Sequence, residues 1–196
     1  MVAPVATRRS GWSLAFALAG ALHPVEATAK VASAPLAEVV AGAAVIVVAK
    51  DVAVRKVGKV RVGRAAVVRV LKGDPHLKEV LYLADPTWAC DTAEVKVGQR
   101  SLLLLRDVPK PGGPLELPDL PTRIGDQPIL QIHWAGRGRM PIRRIDGQEF
   151  ATVWDEVILP KEIEQRPGPN RKYEFIRSAR LQDLIDAIDR ALGAPR

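Results

Sequence analysis

The sequence predicts a mainly β protein with a short helix ahead of its first strand and a longer one at its C-terminal end. Valine-rich segments between residues 44 and 108 either alternate dry and wet positions or run continuously apolar at strand length. Turn chemistry separates them, with "KGDP" at 72–75 and an Asp-Gly pair at 146–147. Only the last twenty residues place leucine and isoleucine at a sustained helical spacing.

Taken in order, "PLAEVVAGA" (35–43) reads as a short helix with proline at its start. It merges into "AVIVVAKDVAV" (44–54), a strand long enough to bend. The chain turns at "RKVGK", around Gly58, and returns as "VRVGRAAVVRVLKG" (60–73). There Val60, Val62, Val68 and Val70 alternate with arginines, giving one dry and one basic face. "EVLYLAD" (79–85) is a third strand, and "RSLLLLRDV" (100–108) a fourth whose unbroken apolar run predicts burial on both faces. All four are expected to pair antiparallel. Five prolines between 109 and 121 exclude regular sheet and define an irregular connection over 109–127. Beyond it, "MPIRRI" and "QEFATVW" flank Asp146-Gly147, the strongest hairpin signal in the chain, and "GRG" (136–138) is a second turn. "SARLQDLIDAIDRALG" closes the sequence as a helix, with Ser178 as its expected N-cap and Leu181, Leu184, Ile185, Ile188 and Leu192 on one face.

Residues 1–29 read as an export signal. Arg8 and Arg9 supply the positive region, "WSLAFALAGAL" the apolar core and "ATA" (27–29) the small residues of a cleavage site near Ala29-Lys30. The apolar stretch is shorter than a membrane span of about 20 residues, and no second such run follows. The expected location is therefore periplasmic or secreted, with no transmembrane segment after cleavage. The chain of 196 residues is 47% apolar, carries a net charge of +7 and has one cysteine, so its stability must come from a packed core and not from disulfides. Residues 30–108 are expected to form the core domain, with 128–196 as a hairpin extension and helix packed on it.

The order of these features, a short helix leading into "AEVVAGAAVIVVAKDVAV", a second strand ending in "VLKG" (70–73), then Cys90 followed by "VGQRSLLLL", resembles the netrin-like module of the tissue-inhibitor-of-metalloproteinases (TIMP) superfamily in its small bacterial secreted versions. Cys90, Val97, Gly98, Arg100 and Leu102 carry the second half of the match, which covers residues 35–108. The resemblance implies an OB-like antiparallel barrel of about five strands, to which the extra hairpin would be added. It also implies action by binding proteins, without catalysis. The inhibitors of that superfamily chelate a catalytic zinc through a mature N-terminal cysteine that is disulfide-bonded to a downstream one. Here the expected mature start, "KVASAP", has no cysteine, so that mechanism does not carry over and Cys90 is left as half of a lost staple.

For Cys90 the readings are a buried apolar thiol or an intermolecular disulfide that links a dimer. A catalytic role is disfavoured, because only His133 could act as its base and nothing in their spacing pairs them. No metal-ligand spacing surrounds His76 or His133, and no cofactor fingerprint or catalytic set can be assembled. Candidate partner contacts are the basic hairpin residues Arg55, Lys56, Lys59, Arg61, Arg64 and Arg69, the turn arginines Arg137 and Arg139, and the tryptophans Trp134 and Trp154. The expected function is non-enzymatic binding of a protein or an anionic envelope component. The alternative is an anion or single-stranded nucleic acid held on the basic hairpin. Residues 55–72 contain no aromatic residue to stack on bases, which disfavours nucleic acid.

Overall fold

The computed structural model describes residues 32–85, 95–108, 120–134, 136–169 and 175–193. A two-residue strand, β1 (Ala34–Pro35), runs into helix α1 (Leu36–Gly42). Strands β2 (Val45–Val57), β3 (Val60–Lys72), β4 (Glu79–Leu83) and β5 (Arg100–Asp107) follow. After them come β6 (Arg123–Ile124), β7 (Gln127–Ile132), β8 (Arg139–Ile145) and β9 (Gln148–Trp154). Strands β10 (Val157–Ile158), β11 (Gln165–Pro167) and β12 (Ile176–Arg180) lead to helix α2 (Leu181–Ala191). The protein is mainly β, with a large sheet and a C-terminal helix, as the valine periodicity predicts.

Strands β2 to β5 pair antiparallel in the order β5-β2-β3-β4, with Gly58 at φ 61 in the turn between β2 and β3. Three register shifts in the β2–β3 ladder bend this long hairpin, since each extra residue adds local twist and curl. Strand β7 joins β4 in parallel and β5 antiparallel, so the pairings β2-β3-β4-β7-β5-β2 return on themselves. This ring has the strand order of a five-stranded Greek-key barrel of the OB type. Its closure is partial, resting on two registered residue pairs between β4 and β7 and three between β5 and β7. The irregular connection expected to run to residue 127 ends earlier, because Arg123–Ile124 already pairs with Gln127–Pro128.

Strand β5 has a second role. Its C-terminal half pairs with β7 (Leu105 with Ile132), while its N-terminal half pairs with β8 (Leu103 with Arg139, Ser101 with Pro141). Along that edge β7 and β8 behave as one strand interrupted by a six-residue excursion, 133–138. Three hydrogen bonds sew its base: Leu104 N–H donates to the Gly138 carbonyl at 2.8 Å, His133 N–H to the Leu104 carbonyl at 2.9 Å, and Gly138 N–H to the His133 carbonyl at 3.0 Å. A Cβ on Gly138 would lie 2.6 Å from the Leu104 oxygen, so only glycine fits there. Beyond the excursion, the sheet continues as β8-β9-β12-β11. The β8–β9 turn is the expected Asp146-Gly147, both residues left-handed (φ 50 and 81).

Alternation along β5 divides the interior. Leu103 and Leu105 face the barrel with Val47, Ala49, Tyr82 and Leu130. Leu102 and Leu104 face a larger core with Met140, Val153, Leu184 and Ile188, where α1 and α2 pack on the extended sheet. The four-leucine run is therefore buried on both faces, as its continuity predicts. One expectation fails. Ser178 does not cap α2; it is a buried residue of β12, paired with Thr152, and the helix begins at Leu181 with no side-chain cap. Five registered pairs with β9 hold residues 176–180 extended, so sheet pairing overrides the capping signal.

Candidate functional site

The basic residues separate into three groups once the strands are in place. Arg61, Arg64 and Arg69 are each tied to a carboxylate: Arg61 to Asp85 at 2.9 Å, Arg64 to Glu79 at 3.5 Å and Arg69 to Asp189 at 3.6 Å. Arg55, Lys56 and Lys59, at the outer end of the β2–β3 hairpin, are exposed and have no ion pair among the described residues. Arg137 and Arg139 are the correction. Both were candidates for surface contacts from a turn, and both guanidinium groups are buried, with 1% of each side chain exposed.

Arg139 enters the barrel from the first position of β8. Its Nη2 donates to Asp51 Oδ2 at 3.0 Å, and the Tyr82 hydroxyl donates to Asp51 Oδ1 at 2.6 Å. Asp51 itself is buried beside the last register shift of β2. The Tyr82 phenol is pushed far above its ordinary range, first by burial and then by the Asp51 charge, so it remains a donor at any physiological pH. Gly63, opposite Tyr82 in the β3–β4 ladder, makes room for the ring; a Cβ there would lie 2.7 Å from Tyr82 Cζ. Arg137, from the excursion, donates to Glu156 at 2.8 Å and lies 5.4 Å from the Trp154 ring centroid. Trp154 stacks on Phe175 at 5.7 Å. It is buried at 3% exposure, so it packs the protein and presents no surface, while Trp134 is half-buried in the left-handed conformation (φ 56). The Asp51–Arg139–Tyr82 group orders the barrel interior.

The unpaired end of the hairpin borders an open groove of about 370 Å³. Its floor is Val62 and Leu81, its basic side Arg55 and Arg64 with Glu79 beside Arg64, and its far wall Ile124 and Gln127 from the β6–β7 turn. The strand register explains the convergence. Arg55 pairs with Val62 and Arg64 with Leu81, so these side chains share one face of the curved sheet. Among the described residues, no aromatic residue lines the groove. Of the candidates, this site brings together Arg55 and Arg64, with Lys56 and Lys59 beyond them at the tip. Arg69, Trp134 and Trp154 lie outside its lining, and Cys90 falls outside the described residues. Sequence reasoning missed Asp51, Tyr82 and Glu156; the signal for Asp51 was available, since an acid follows Val47 and Ala49 at the inward-facing period of two.

The remaining ionisable candidates sit in structural settings. His76 is an exposed turn residue whose N–H donates to Asp74 at 2.8 Å. His133 is buried at the base of the excursion against Gly42, where an added Cβ would come within 2.8 Å of Nε2. Burial, with Arg106 and Lys72 nearby, holds its imidazole below the ordinary histidine value. Among the described residues, no helix is long and apolar enough to cross a membrane. No protein-family model matches the chain, and no curated protein is significantly similar to it.

Proposed function

We propose that this chain is an exported, non-catalytic binding domain of the netrin/TIMP-like kind, and that it takes an acidic segment of a partner protein along the β2–β3–β4 groove. The observation that carries the reading is the separation of the hairpin cations. Arg61 is hydrogen-bonded to Asp85 and the charge of Arg64 is offset by Glu79 at 3.5 Å, whereas Arg55 on the groove and Lys56 and Lys59 at the hairpin tip have no carboxylate partner among the described residues. Such a surface offers charge for steering, with the half-buried Ala53 and Ile124 for apolar contact. The OB-type strand order and the short helix leading into β2 support the family reading. The missing N-terminal cysteine removes zinc chelation from it. A single-stranded nucleic acid would also meet the charge, but without a stacking platform it would lose about 1–3 kcal/mol per base.

The test compares a decaglutamate peptide with a ten-nucleotide oligothymidylate, using the protein and an Arg55→Glu/Lys56→Glu/Lys59→Glu variant. Peptide affinity should fall at least about tenfold in the variant, while a charge-matched Lys96→Glu/Arg144→Glu/Lys161→Glu variant, at exposed positions away from the groove, changes it little. Tighter binding of the oligonucleotide, with a steep salt dependence, would favour the polyanion alternative. Equal losses from both variants would show that net charge alone attracts the peptide and would remove the groove from the reading.

A further inference from the structure

A second cleft, about 370 Å³ in volume, opens on the other side of the β2–β3 hairpin, where α2 crosses the sheet. Its apolar part is Val48, Val68, Leu181 and Ile185. Three arginines from three separate strands converge on it: Arg69 of β3, Arg100 of β5 and Arg180 of β12. Glu149 is the only carboxylate among the described lining residues and is bound to Arg100. Arg69 and Arg180 are held from outside the cleft, by Asp189 at 3.6 Å and Glu164 at 4.0 Å. Those separations exceed the 2.7–2.9 Å of a direct charge-assisted hydrogen bond, so the acids position the guanidinium groups without using up their donors. Their side chains remain 49% and 42% exposed. Val68 is 60% exposed, an apolar side chain left at the mouth of a cationic cleft.

Past the Arg100–Glu149 pair, a second depression of about 520 Å³ is lined by Lys96 and Arg144 among others, which keeps the surrounding potential positive. An apolar partner would leave the Arg69 and Arg180 guanidinium groups facing it, and a simple inorganic anion would leave the exposed Val68 in water. We infer that the cleft binds a small amphipathic anion, a carboxylate or phosphate head on a short apolar body. The head lies between Arg69 and Arg180, and the body lies on Val68, Leu181 and Ile185. The volume falls at the low end of small-molecule sites. This site is separate from the hairpin groove and does not depend on it.

The experiment titrates the protein with octanoate, octyl phosphate, acetate and octanol while following the methyl resonances of Val68, Leu181 and Ile185. Octanoate or octyl phosphate should shift these methyls to saturation, the tighter of the two identifying the head group. Acetate and octanol, each lacking one half of the recognition, should bind at least about tenfold more weakly. Arg69→Gln with Arg180→Gln should weaken binding about tenfold or more, since two hydrogen bonds to a charged group are lost. Val68→Glu, at an exposed position that spares the fold, should abolish binding, and Lys56→Glu at the hairpin tip should not change it. Octanol binding as tightly as octanoate would overturn the inference. So would affinity indifferent to Val68→Glu, or shifts confined to other methyls.

Discussion

Burying Asp51 and Arg139 inside the barrel takes two charges out of water, and their contact with each other and with the Tyr82 hydroxyl offsets the desolvation. Removing one member alone leaves an uncompensated charge. Arg139→Ala should therefore cost about 3–5 kcal/mol in chemical denaturation, while Arg139→Met combined with Asp51→Leu should recover part of that loss. The protein tolerating Arg139→Ala at less than about 1 kcal/mol would show that water already reaches the pair. His133 makes the opposite kind of demand. Its imidazole is held below the ordinary value, so as pH falls the unfolded chain takes up the proton first. The contribution to stability is complete above about pH 6.5 and is lost as pH drops below it. Denaturation midpoints should therefore be lower at pH 5.5 than at pH 7.5, and His133→Gln should flatten that difference.

At the level of elements, local signals in the sequence were reliable where the chain makes its own geometry. The Asp146-Gly147 turn fixed the β8–β9 hairpin because two left-handed residues leave few alternatives. The alternation and continuous apolar runs of residues 45–107 located β2 to β5. Placement of α2 was legible from its apolar face, but its start was not, because β12 exists only through pairing with β9. The fate of the two turn arginines was equally hidden. Their carboxylate partners are 19 residues away for Arg137 and 88 for Arg139, and no spacing rule reaches that far. The helix face also yields a prediction. Leu184, fully buried in the larger core, should cost about 2–5 kcal/mol on change to Ala, whereas exposed Asp186→Ala should stay within about 0.5 kcal/mol. Comparable losses at both positions would mean that α2 is not docked by this face.

For the whole molecule, the sharing of β5 is decisive. One strand supplies leucines to the barrel and to the helix-covered core, so neither core can be dismantled without exposing the other. Melting should then be a single transition, coincident for tryptophan fluorescence and far-ultraviolet circular dichroism. Leu103→Ala, on the barrel side, and Leu104→Ala, on the other, should each shift the entire transition downward. Two separated steps, each responding to only one substitution, would contradict the shared-strand account. Strand β7, from the later segment, is a barrel stave, and β8 continues along the same edge of β5.

Synthesis proceeds from the N-terminus, and that order exposes a vulnerable interval. When Leu102 to Leu105 leave the ribosome, β2 is already available to cover one edge of β5. The partners for the other edge, Gln127–Ile132 and Arg139–Ile145, have not yet been made. Until they are, this leucine-rich strand presents a bare row of backbone donors and acceptors to whatever is nearby. A nascent chain halted between residues 108 and 127 is the form in which misassembly would begin, and the one a holding chaperone would need to recognise.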